Sequence, residues 1–152
     1  MLRETLNQAL KDAMKAKDAR RLATLRLILA ALKDRDIAAR TSGDDRTGIP
    51  DDAILGLLQT MVKQRRESIT LYEQGNRPEL AAQEKEEIAV IESYLPKQLS
   101  DAEIEAAARA AIAEVGAQGI KDMGKAMAIL KAKYTGQMDS AKAAAILKGL
   151  LS

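Results

Sequence analysis

Apolar residues recur every three or four positions along most of this chain, and no useful length alternates with period two. That spacing belongs to amphipathic helices, so the sequence predicts an all-α fold. Leu2, Leu6, Ala9 and Ala13 form a first stripe, helped by Leu10 and Met14. Asp18 stands where an N-cap is needed for a second helix, with Leu22, Leu25, Leu29 and Leu32 inward and Ile28 beside them. Thr41 to Pro50 is polar and carries Gly43, Gly48 and Pro50, which predicts a loop whose make-up favours mobility over function.

A third helix is expected from Asp51 and Asp52, whose carboxylates suit the positive end of a helix dipole. Ile54, Leu58, Met61, Ile69 and Tyr72 would face inward, with Gly75 as the C′ glycine. Pro78 opens a fourth helix with Leu80, Ile88, Ile91 and Leu95 on the buried side, and Pro96 stops it. Four helices on short connections describe a small bundle. Beyond it, Ser100 and Glu103 form a capping box ahead of an Ala-rich helix punctuated by Gly116 and Gly119. Asp122 is placed to cap a helix through Met123, Met127, Ile129 and Leu130 that Gly136 closes. Asp139 or Ser140 caps a last helix with Ile146, Leu147, Leu150 and Leu151. The expected boundary lies between Tyr94 and Ser100, giving a four-helix bundle over 1–95 and a three-helix domain over 96–152.

Composition narrows the chemistry. The 152 residues hold no His, Cys, Trp or Phe and only three Tyr. Those side chains are the usual nucleophiles, proton shuttles, soft metal ligands and aromatic binding floors. No Walker A loop, GxGxxG, HExxH, GxSxG, CxxC or EF-hand pattern is present. No catalytic residue, metal or cofactor is therefore expected. The absence of cysteine fits a reducing cytosol, and the charged start of the chain lacks the apolar core of a secretory signal. The expected location is cytoplasmic, with no membrane partner.

Net charge is only +2, yet it is unevenly spread. Residues 1–40 carry ten Lys and Arg against five Asp and Glu, residues 41–99 seven against eleven, and residues 120–152 six against two. Two basic ends around an acidic middle suit an anionic partner. Glu84, Glu86 and Glu87 read as a solvated helix face. Arg65 falls near the apolar stripe and is expected to pair with Glu84 or Glu92, leaving Lys63 and Arg66 to meet phosphate. Arg20, Arg21 and Arg26 oppose the dipole at the start of the second helix and call for an acidic neighbour or ligand. Lys121 and Lys125 bracket the start of the sixth helix, where backbone N–H groups favour an anion. Gly124 there costs stability relative to Ala, so either a helix packs closely on it or a ligand approaches the backbone. Lys131, Lys133 and Lys148 extend the positive character. With almost no aromatics to stack bases, folded RNA read through phosphates and shape fits better than a single strand.

Four segments carry a resemblance: Thr24-Leu25-Arg26-Leu27-Ile28-Leu29-Ala30-Ala31-Leu32-Lys33, Lys63-Gln64-Arg65-Arg66-Glu67-Ser68-Ile69, Glu92-Ser93-Tyr94-Leu95-Pro96-Lys97-Gln98-Leu99-Ser100 and Lys121-Asp122-Met123-Gly124-Lys125-Ala126-Met127. Together, and in this order, the chain resembles the YqeY family. Met123 to Leu151 is also similar to the tail domain of GatB, a subunit of the tRNA-dependent amidotransferase. The resemblance implies a helical bundle followed by a three-helix domain that helps hold tRNA. It also implies a module of tRNA metabolism that binds tRNA or an aminoacyl-tRNA synthetase or amidotransferase. Lys121, Gly124, Lys125, Lys131 and Lys133 are the expected contacts, with Lys63 and Arg66 secondary. A protein–protein adaptor docking through Met123 and Met127 is the alternative. A carbon–nitrogen ligase with glutamine as amido-N donor, the activity of the amidotransferase itself, is the third reading.

Overall fold

The computed structural model describes residues 1–43 and 48–152, and every regular element among them is helical. The polar loop expected between the second and third helices therefore falls partly, at 44–47, outside the described residues. The chain divides into two compact units, Met1–Leu95 and Pro96–Ser152.

The first unit holds α1 (Leu2–Ala16), α2 (Ala19–Thr41), α3 (Asp51–Gln74) and α4 (Pro78–Glu92). Asp18 caps α2 as expected, its carboxylate accepting the Arg21 backbone N–H. Pro78 sits in the first turn of α4, where its missing N–H costs nothing. The α3–α4 pair packs most extensively, and α2 closes against both α1 and α4. Leu6, Leu25, Ile28, Ile54, Leu58 and Ile91 are sealed from solvent at the centre. Burying side chains of that size contributes about 1.5–3 kcal/mol each before entropy is counted.

Three local expectations are corrected. Met14 is exposed, because it lies one residue past the Leu6–Ala13 row that faces α2. Gly75 keeps a right-handed φ of −83°, and the left-handed residue is Asn76 at φ 57°. The Arg77 N–H reaches the Tyr72 carbonyl and the Asn76 N–H that of Glu73, a Schellman closure with Asn at C′. Helix α4 ends at Glu92, before Pro96 can act. The Ser93 N–H takes the Ala89 and Val90 carbonyls, and the Ser93 hydroxyl also donates to Val90.

The second unit holds α5 (Asp101–Val115), a 3-10 turn (Ile120–Asp122), α6 (Met123–Lys133) and α7 (Ser140–Leu151). The capping box is complete: Ser100 accepts the Glu103 N–H and Glu103 accepts the Ser100 N–H. That bond to the charged form holds the Glu103 carboxyl below its ordinary value. Gly116 closes α5 at φ 65°, and Asp139 caps α7 through the Ala141 N–H. The core is Ile104, Ala108 and Ala111 against Ala126, Leu130 and Leu147. So many alanines let three short helices approach closely; none would be stable alone. The lead-in to α5 is pinned to the α6–α7 connection, Leu99 N–H to Gln137 carbonyl at 2.8 Å and the Gln98 amide to Gly136 carbonyl at 2.7 Å.

Candidate functional site

The start of α6 is built by a diversion. Asp122 occupies its N-cap position, yet the carboxylate accepts the Gln118 N–H at 3.1 Å and caps nothing in α6. This corrects the expectation that Asp122 caps the helix: its acceptor is spent holding the turn that follows Gly116. Helix α6 thus begins without a side-chain cap, between Lys121 and Lys125.

Spacing then fixes which residues share its outer face. Gly124, Ala128 and Lys131 lie at i, i+4 and i+7, the row Lys125, Ala128, Ala132 runs beside them, and Lys121 precedes them on the 3-10 turn. All six are exposed. Three lysines therefore stand around a floor of Gly and Ala. A Cβ built on Gly124 meets nothing within 4 Å, so no helix packs there and that explanation for the glycine falls. Lys133 stands apart. Its ammonium donates to Glu114 at 2.8 Å, and that bond raises its pKa above the ordinary value. Met123 and Met127, the expected adaptor contacts, are half-buried and packed against the core of the unit.

The charge inventory of this unit is one-sided. Its six acids are all engaged: Asp101 with Lys142, Glu105 with Arg109, Glu114 with Lys133, and Glu103, Asp122 and Asp139 on backbone N–H groups. Lys97, Lys121, Lys125, Lys131 and Lys148 are exposed and make no ion pair among the described residues.

In the first unit the expected free cations are engaged. Arg66 donates to Glu92 at 3.4 Å, and Lys63 also makes an interaction of its own. Arg65 bonds Glu87 at 3.0 Å and lies 3.9 Å from Glu84, with its Nη1 on the Met61 carbonyl. Arg20 bonds Glu86 at 2.9 Å. The solvated face expected of Glu84, Glu86 and Glu87 holds for Glu86, which is exposed, and fails for the other two: Glu87 is 8% exposed, and burial beside Glu87 raises the Glu84 carboxyl above its ordinary value. Arg21 donates to the Tyr94 hydroxyl at 2.6 Å and bounds a shallow cleft of about 250 Å³ with Asp12, Asp18 and Tyr94.

The ion pair of Arg3 with Asp36 is also absent from the sequence expectations. Its signal was available. Asp36 continues the buried row of Leu25, Ile28 and Leu32, and an acid in that register needs a partner. Among the described residues no group of His, Cys, Asp or Glu converges on a metal-sized site, and no helix is long and apolar enough to cross a membrane.

The profile of the Yqey-like protein family matches residues 3–151. The chain belongs to that family. Family relatives include yeast proteins named Altered inheritance of mitochondria protein 41, mitochondrial. The one from Lachancea thermotolerans is 35% identical over 103 residues, 66% of this chain and 52% of the relative. That from Vanderwaltozyma polyspora is 33% identical over 90 residues, 59% of this chain and 46% of the relative. That from Saccharomyces cerevisiae (strain YJM789) is 30% identical over 86 residues, 57% and 44% respectively. The chain spans about half the length of the curated relatives it matches. These family ties support a small accessory protein. They also overturn the cytoplasmic expectation, since the relatives are named as mitochondrial. The absence of cysteine behind that expectation bears on oxidising routes and does not separate cytosol from an organelle's interior.

Proposed function

We propose that this Yqey-like chain is a non-catalytic module of tRNA metabolism whose second unit grips tRNA by its phosphates. The observation that carries the reading is the surplus of cations. In a unit where every acid is occupied, Lys125 and Lys131 on α6 and Lys121 on the 3-10 turn before it stand around the Gly124–Ala128 floor, with Lys97 and Lys148 also outside any ion pair among the described residues. Phosphate oxygens reward this arrangement without any base contact. A floor without side chains beyond Cβ lets a sugar–phosphate backbone lie close to α6. The partner is tRNA itself or tRNA held by an aminoacyl-tRNA synthetase or amidotransferase.

Fluorescence anisotropy of bulk tRNA with the full chain at two salt concentrations tests this. Binding is expected at low salt, with log K falling against log salt by about 0.7–0.9 per phosphate contact. Lys121→Glu with Lys125→Glu should flatten that slope by roughly two contacts and lower affinity at least tenfold. No binding at low salt, or binding untouched by the pair, overturns the reading.

A further inference from the structure

Helix α2 keeps an outer face that the bundle does not use. Leu27 is 46% exposed and Ile37 49% exposed, on a helix whose opposite side is buried in the core. Ala30 lies between them and Ala23 one turn before Leu27, on the same exposed face. Along one flank run Arg26, Lys33 and Arg40, each seven residues from the next and so about 10 Å apart along the axis. All three are exposed and make no ion pair among the described residues. One acid, Asp34, stands in the same row as Leu27, seven residues on, exposed and likewise outside any ion pair among the described residues.

A row of cations at heptad spacing beside exposed Leu and Ile has a specific complement. Phosphates would satisfy the cations and leave Leu27 and Ile37 in water. An amphipathic helix satisfies both, with acids at seven-residue spacing flanking its own apolar stripe. We infer that the outer face of α2 docks an acidic amphipathic helix of a partner protein. Arg26, Lys33 and Arg40 set its register, and Asp34, in the Leu27 row, takes a basic residue of the partner helix. This surface lies in the first unit and is independent of the tRNA reading, which uses the second. It also moves the adaptor role from Met123 and Met127 to residues that are open.

The test uses the full chain and a fluorescein-labelled synthetic helix with Leu at its a and d positions and Glu at e and g. A twin with Lys in place of Glu and mixed phosphatidylcholine–phosphatidylserine vesicles are run beside it. Expected is binding of the Glu peptide alone, weakened at least tenfold by Leu27→Ser with Ile37→Ser. A similar loss is expected from Arg26→Glu with Lys33→Glu, a pair of exposed charges whose exchange leaves the core untouched. Lys121→Glu with Lys125→Glu should leave peptide binding unchanged. Equal binding of the Lys twin, no binding of the Glu peptide, or vesicle binding that needs the same residues in its place would overturn the inference.

Discussion

Arg3 grips Asp36 with both arms of its guanidinium, Nη1 on Oδ2 at 2.6 Å and Nη2 on Oδ1 at 3.0 Å. The same Nη2 reaches the Ile49 carbonyl at 3.1 Å, and the Ile49 N–H donates back to Asp36 at 2.9 Å. One fork therefore ties α1, α2 and the entry to α3 together. A Cβ on Gly48 would drive into that guanidinium. Because Asp36 is nearly buried, removing Arg3 would strand a carboxylate. Arg3→Ala should lower unfolding free energy by about 2–3 kcal/mol in urea titrations at neutral pH. Gly48→Ala should mimic it in part. Unchanged midpoints would show that the fork carries no net stability.

The same pair sets an acid limit. The bonds from Arg3 and from the Ile49 N–H hold the Asp36 carboxyl below its ordinary value. A depressed folded pKa adds stability above the unfolded value, near pH 4, and loses it as pH falls through the folded one. Asp36→Asn should thus be less stable than the parent at pH 6, with the gap narrowing towards pH 3 in paired urea titrations.

Glu84 works in the opposite sense. Burial, first, and then the neighbouring Glu87 raise its carboxyl, so its contribution is complete below the unfolded value and lost as pH rises through the folded one. Glu84→Gln should therefore be as stable as the parent or more so at pH 7, with the advantage shrinking as pH drops to 4. Arg65→Met is the counter-case. It leaves Glu87 without its 3.0 Å partner and should cost about 3 kcal/mol. Thermal melts of the two variants, run at both pH values, separate these outcomes.

What could be read in advance was local. Asp18, the Ser100–Glu103 box and Asp139 announce their helices within three residues, and each makes its capping bond. The helical class followed from one period kept along the chain. The pairings did not follow. Arg3 and Asp36 are 33 residues apart, Arg20 and Glu86 are 66 apart, and Lys133 meets Glu114 across 19. Periodicity says which face a residue takes, not which helix arrives opposite. That is why Arg66 looked available when Glu92 was its neighbour, and why Glu84 and Glu87 looked solvated. At α6 the exposure of Lys121, Lys125 and Lys131 was readable from spacing, whereas the loss of Lys133 to Glu114 was not.

Asn76 offers a backbone test. It takes φ 57° at the end of α3, a region that costs a residue with a Cβ about 1 kcal/mol or more. Asn76→Gly should hold or raise the melting temperature, and Asn76→Val should lower stability by about 1–2 kcal/mol. Gly75 is the contrast: at φ −83° its backbone suits any residue, though a Cβ would meet the Leu71 carbonyl at 3.3 Å, so Gly75→Ala should cost less than Asn76→Val.

Gly124 separates folding from binding. Nothing lies within 4 Å of its missing Cβ, and its place inside the first turn of α6 makes glycine the costly choice. Gly124→Ala should stabilise the protein by about 0.5–1 kcal/mol, visible as a higher melting temperature. If the glycine serves backbone approach of a phosphate, tRNA affinity falls in the same variant, and Gly124→Leu deepens the loss without unfolding the unit. Lys133→Ala is the control, because its amine is held by Glu114 and should change the salt slope less than Lys125→Ala does. A Gly124→Ala protein that is more stable and binds tRNA as tightly as the parent would remove the floor of α6 from the interface.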